Sequence, residues 1–186
     1  MTMEEFNRAI EFAAEKHASK KRKGADLPYI VHPMEVCAIA STMTEDLEVL
    51  AAALLHDVIE DSDATEGDIK ERFGERVAKL VAHESEDKMD HLPREESWVY
   101  RKQQALERLK GASRDAQIIL LGDKLSNMRS IYREYTAMGD DVWQIFNMKD
   151  KARHAWYYRG IAGVLDRVRD TVAFREYEVL LDKIFG

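Results

Sequence analysis

The sequence predicts an all-α fold, on three observations. Apolar residues recur at three- and four-residue spacing through nearly the whole chain. Only 9 Gly and 3 Pro interrupt 186 residues, so long regular elements should dominate. No stretch alternates apolar and polar residues as a half-buried strand would. A chain of this length supports one domain with a sizeable core, residues 1–186.

Taken in order, Phe6, Ile10, Ala13, Ala14 and His17 mark one face of a first helix. His17 reads as a packed core histidine. The stretch from Ser19 to Ile30 breaks the pattern with a basic run, Gly24 and Pro28. Pro33 suits the first turn of a second helix, with Met34, Cys37, Ile39, Ala40 and Met43 facing inward. A third helix runs from about Glu45 to about Asp61. Thr65 to Asp68 has the form of an N-terminal cap opening a short helix that Gly74 closes. Another helix follows through Val77, Leu80 and Val81. The polar run from His83 to Pro93 is a loop candidate. A helix around Trp98 to Leu109 stops at Gly111, and a long one starts near Ser113 and carries Ile118 to Met128. Trp143, Phe146, Trp156, Tyr157, Ile161, Leu165, Tyr177, Leu180 and Leu181 define two or three further helices, with Trp98, Trp143 and Trp156 expected in the core.

Composition narrows the function. Hydrophobic residues are 45% and charged residues 34% of the chain, as in a soluble globular protein. A net charge of −7 argues against binding a nucleic-acid polymer, whose footprint would be broadly basic, but leaves room for a local anion site. The lone Cys37 precludes an internal disulfide and fits a reducing compartment. The N-terminal segment lacks a signal-peptide layout and no apolar run is long enough to span a bilayer, so a cytoplasmic protein without membrane association is expected.

The chemistry concentrates in ALLHDVIEDSDAT. Positions four apart share a helix face, which pairs His56 with Glu60 and Asp57 with Asp61. Carboxylates one turn apart repel, and negative charge near a helix C-terminus is opposed by the dipole. A divalent cation reverses the sign of both penalties, so the segment reads as a metal site with catalytic acids beside it. Further donors must come from other elements. His32 stands at the start of the second helix. Asp123 follows the apolar run IILL, where a carboxylate is costly to bury unless paired or metal-bound. Asn127 shares its face. The basic run Lys20 to Lys23 leads straight to His32 and reads as an anion-binding loop beside the metal.

A lone His (His32), a His-Asp dipeptide (His56, Asp57) and a distant Asp (Asp123) resemble the HD-domain metal-dependent phosphohydrolases. RKGADLPYIVHP, ALLHDVIEDSDAT and LGDKLSNMR are similar to the small alarmone hydrolases and the hydrolase domain of RelA/SpoT proteins, over roughly Phe6 to Leu165. The resemblance implies a compact multi-helix bundle. It also implies removal of the 3′-pyrophosphate from guanosine tetra- or pentaphosphate, giving GDP or GTP and pyrophosphate. The metal, most often manganese, would be held by His32, His56, Asp57 and Asp123. Glu60 and Asp61 would orient and deprotonate the attacking water. Arg22 and Lys23 would contact the substrate, and Asn127 the nucleotide. Lys124 would neutralise charge or touch phosphate. Lys88, in a segment similar to the family's loop over the site, would meet phosphate, and Lys151 and Tyr158 would reach the substrate from the divergent C-terminal third. The partner is thus a small nucleotide. The apolar content of the C-terminal helices would permit a homodimer.

Two other functions compete. One is a different HD nucleotide phosphohydrolase, a 5′-nucleotidase or an adenine-alarmone hydrolase; the RKG-to-PYI loop separates this chain from the nucleotidases. The other is a non-catalytic nucleotide-binding regulator, against which Glu60 and Asp61 argue, since a binding-only site needs no general base.

Overall fold

The computed structural model describes residues 1–84 and 94–186. Within them the chain is helical: α1 (Met3–Lys16), α2 (Val31–Ala40), α3 (Leu47–Leu55), α4 (Val58–Asp61), α5 (Glu66–Phe73), α6 (Glu75–Glu84), α7 (Arg94–Leu109), α8 (Arg114–Met138), a 3-10 segment (Gly139–Ile145), α9 (Lys151–Val164) and α10 (Val172–Phe185). No strand occurs among the described residues, only an isolated bridge between Lys21 and Pro28. The all-α class holds.

Side-chain caps set most of the helix starts. Thr2, Asp46, Thr65, Ser113, Asp150 and Thr171 each accept a hydrogen bond from a backbone N–H in the first turn, a contribution of about 1 kcal/mol apiece. Thr2 with Glu5, and Thr65 with Asp68, form reciprocal capping boxes. Gly74, at φ 93°, closes α5 as expected.

Two helices organise the rest. Every residue of α3 from Val49 to Leu55 is buried, as a helix apolar all round requires. It packs against α1, α2, α6 and α8. The long α8 crosses the molecule against α2, α3, α6, α10 and the 3-10 segment. The α2–α8 contact is close because Gly122 has no side chain: a Cβ there would lie 3.0 Å from the Val36 carbonyl oxygen.

Several faces differ from the expected ones. In α1 the buried positions are Ala9, Phe12 and Ala13, while Ile10 and Ala14 face out. In α2, Val36 is buried and Met34 is 54% exposed. Trp98 and Trp143 are in the core, but Trp156 is 42% exposed. The third helix is the main correction. It does not run unbroken to Asp61: α3 ends at Leu55 and α4 resumes at Val58, with the His-Asp pair at the interruption.

Candidate metal centre

His56, still in helical geometry at the end of the buried α3, is itself 2% exposed. Its Nδ1 lies 2.9 Å from the Ala53 carbonyl oxygen, which can only accept, so Nδ1 carries the proton and Nε2 points away from the helix. Asp57 follows at φ −98°, ψ −2°, in the sparsely populated bridge region. From α2, His32 presents its Nε2 to the same place; from α8, Asp123 presents Oδ1. Ligand atoms of His32, His56 and Asp57 all fall within 4.8 Å of one another. His32 Nε2 is 3.2 Å from Asp123 Oδ1 and 3.6 Å from Asp57 Oδ2, and His56 Nε2 is 3.9 Å from Asp123 Oδ1.

These groups suit a divalent cation. Both rings are 2% exposed and Asp123 is 7% exposed, and carboxylates converging at that depth are costly without a counter-charge. Asp57 Oδ2 is 3.0 Å from His56 Nε2, yet out of line for a ring N–H. The buried Nε2 therefore has no hydrogen-bond partner. Imidazole nitrogens with carboxylate oxygens match the donor preferences of manganese, iron, cobalt or zinc.

The local fields follow from this crowding. Burial disfavours the His56 imidazolium, but Asp57 and Asp123 outweigh it and push the pKa up to about 9. For His32 burial wins and the pKa falls. Burial alone would raise the Asp57 carboxyl, yet His56 beside it holds it below the usual range. Lys124 and the two imidazoles do the same for Asp123.

Around the cluster, the loop between α1 and α2 is closed by Arg22 N–H to Leu27 O (2.8 Å) and Tyr29 N–H to Lys20 O (2.9 Å). Gly24, at φ 78°, lets it turn over Ile145. This places Arg22 where Nη2 donates to Asn127 Oδ1 (2.7 Å), and Asn127 Nδ2 donates to Asp123 Oδ1. Arg22, Lys23, Asn127, Ser130, Phe146 and Tyr158 are among the residues lining a cleft of about 70 Å³. Lys23 Nζ stands 5.6 Å over the Phe146 ring. Lys124 pairs with Asp123. Glu60 and Asp61 lie on α4, immediately beyond the donor pair, and Asp61 Oδ1 is 3.1 Å from Lys20 Nζ. Lys151 stands apart from the cleft lining: its Nζ donates to Asp140 (2.8 Å) and Tyr135 (3.3 Å). Lys88 lies outside the described residues. Burial pushes the Cys37 thiol up to about 11, in keeping with a packing role.

Two residues beside the cluster were given no site role in the sequence. Tyr29 donates its hydroxyl proton to Asp57 Oδ2 at 2.5 Å; burial and the Asp57 charge raise its pKa, so the phenol stays protonated. Its place in PYIVHP, three residues before His32, was the available signal. His17 is buried as expected, but neither ring nitrogen has a hydrogen-bond partner, and its ring packs 4.9 Å from Tyr29. Only the fold brings α1 to this site.

Helical bundle and buried His/Asp cluster together define an all-α protein built around a candidate divalent-cation site. A family model described as "HD domain" matches residues 9–149, and the chain belongs to the HD-domain family. It is 42% identical over 131 residues to a guanosine-3′,5′-bis(diphosphate) 3′-pyrophosphohydrolase of Aquifex aeolicus, a match covering 69% of this chain and 18% of that protein. It is 40% identical over 127 residues to the MESH1 guanosine-3′,5′-bis(diphosphate) 3′-pyrophosphohydrolase of Danio rerio, covering 67% of each. A solved structure described as a metazoan ortholog of SpoT that hydrolyses ppGpp superposes with a TM-score of 0.71 at 33% identity, over 100% of this chain and 96% of that one.

Proposed function

We propose that this protein hydrolyses the 3′-pyrophosphate of guanosine tetra- or pentaphosphate, giving pyrophosphate and GDP or GTP. The observation that carries the reading is a juxtaposition. A buried His/Asp cluster and a basic cleft share Asn127, which bonds both Asp123 and Arg22, in a chain about 40% identical to proteins named for this activity.

His32, His56, Asp57 and Asp123 would hold one divalent cation, manganese by resemblance. When bound, the metal supplies Lewis acidity toward a phosphoryl oxygen and lowers the pKa of water. Glu60 and Asp61 orient the attacking water and accept its proton. Lys20 holds the Asp61 carboxylate in place. Arg22 and Lys23 bind the anionic nucleotide, Asn127 positions it, and Tyr158 lines the cleft. Lys124 offsets charge at Asp123. Lys88 is a phosphate contact in this reading, and Lys151 a substrate contact from the C-terminal part. Water attacks the phosphorus borne by the ribose 3′-oxygen; that P–O bond breaks, and the 3′-oxygen leaves as a hydroxyl after gaining a proton.

The test is pyrophosphate release from guanosine 3′,5′-bis-diphosphate by metal-stripped protein, with and without manganese. Manganese-dependent release with GDP as coproduct is expected. Absence of release by manganese-bound protein would overturn the reading and favour another nucleotide or a binding-only role.

A further inference from the structure

Four side chains outside the donor set connect α10 to the His32 ring. Arg129 donates from Nε and Nη2 to the two oxygens of Glu176, at 2.7 Å each. Its Nη1 donates to Glu35 Oε1 at 3.0 Å. Ser126 Oγ donates to Glu35 Oε2 at 2.8 Å and lies 2.8 Å from His32 Nδ1.

Counting protons gives this chain a direction. A guanidinium only donates, and an ionised carboxylate only accepts. Ser126 has one proton, and it is committed to Glu35. Its oxygen must therefore accept from His32, so Nδ1 carries a hydrogen and the neutral ring has its lone pair at Nε2. That is the atom facing Asp57 and Asp123. Burial keeps bulk water from competing, since Ser126 is 1% exposed. A serine inside a helix ordinarily bonds back to the preceding turn; Ser126 reaches across to α2 instead.

We propose that Ser126 and Glu35 are positioning residues that fix His32 as its Nδ1–H tautomer, with the Arg129–Glu176 pair of α8 and α10 holding Glu35 in register. This rests on the metal-site reading, because the benefit falls on Nε2. Arg129, Glu35 and Glu176 have side chains 36–39% exposed, where ion pairs add little stability. The chain therefore acts on ring orientation rather than on folding.

Glu35→Gln tests it. The amide must turn its oxygen toward Arg129, leaving its NH2 toward Ser126; Ser126 then donates to His32 Nδ1 and the ring proton moves to Nε2. Manganese affinity, read from the electron paramagnetic resonance signal of free ion, should weaken ~10–100-fold, and likewise in Ser126→Ala. The melting temperature of metal-free Glu35→Gln should shift by no more than about 4 °C. Nitrogen-15 correlation spectra of histidine-labelled, metal-free protein should show a protonated His32 Nδ1 in the wild type and a bare one in Glu35→Gln. Wild-type binding with unchanged affinity and tautomer in Glu35→Gln would overturn the proposal while leaving the metal site standing. A wild type that binds no manganese would overturn both, which separates the two failures.

Discussion

His56 ends α3 in helical geometry and Asp57 departs from it, and each is held by a different partner. The Ala53 carbonyl fixes the His56 ring from one side. Tyr29 fixes Asp57 from the other. Glu60 and Asp61 lie on α4, where Asp61 Oδ1 stands 3.1 Å from Lys20 Nζ. The donors and the acids should therefore separate on mutation. Asp57→Ala should lose metal binding and turnover together, seen by metal titration beside an activity assay. Glu60→Ala should keep the metal and lose turnover ~100-fold or more. Near-normal rates in Glu60→Ala would remove its assignment as a proton acceptor. At this scale the sequence was most legible: His32, His56, Asp57 and Asp123 stood out as candidate donors, and the structure brings them together. Tyr29 was given no role of its own within the loop, and His17, on the apolar face of the first helix, read as packing.

Among the elements, α2 and α8 decide whether His32 and Asp123 meet. Their approach depends on Gly122, whose missing Cβ leaves room for the Val36 carbonyl. Gly122→Ala should force the helices apart, costing about 1–3 kcal/mol by thermal melting and weakening metal affinity as Asp123 withdraws from His32. A variant with unchanged affinity would show that the site tolerates a wider α2–α8 spacing. On α9, His154 is buried between Trp98 and Trp143, with Nε2 2.7 Å from the Met148 carbonyl oxygen. Burial holds its pKa below the ordinary value. Unfolded histidine takes up a proton near pH ~6.5, so the stability from keeping His154 neutral is present above that pH. It is lost as pH falls toward the folded-state value. Acidification from about pH 7.5 to 5.5 should lower the melting temperature more in the wild type than in His154→Gln; equal losses would assign the acid sensitivity elsewhere.

The whole molecule is a helical frame closed around buried charge. Among the described residues no helix is long and apolar enough to cross a membrane. α10 lies beyond the region matched by the HD-domain model, yet it packs on α8 and is tied to it through Arg129 and Glu176. We therefore infer that residues 1–186 work as one unit. Since the candidate donors come from α2, α8 and the α3–α4 junction, a cation held by them should stabilise the entire frame. At ~100-fold excess over Kd the gain is about 2.7 kcal/mol, on the order of 5–10 °C in Tm for a chain this size. Chelation should reverse it, as differential scanning calorimetry would show. A Tm indifferent to manganese would mean that these side chains do not form a folded-state metal site.

The sequence by itself determined the fold class, the capped start at Thr65 and the start near Ser113, because these depend on local chemistry: apolar periodicity and side chains that satisfy the first turn. The tertiary structure decided which apolar residues of α1 and α2 face inward, where the third helix breaks, and that Trp156 stays outside. It also joined Tyr29, His17, Ser126 and Glu35 to the site. Those outcomes depend on which neighbour fills a given contact, and residues 94 positions apart, such as Glu35 and Arg129, become partners only when the helices carrying them pack.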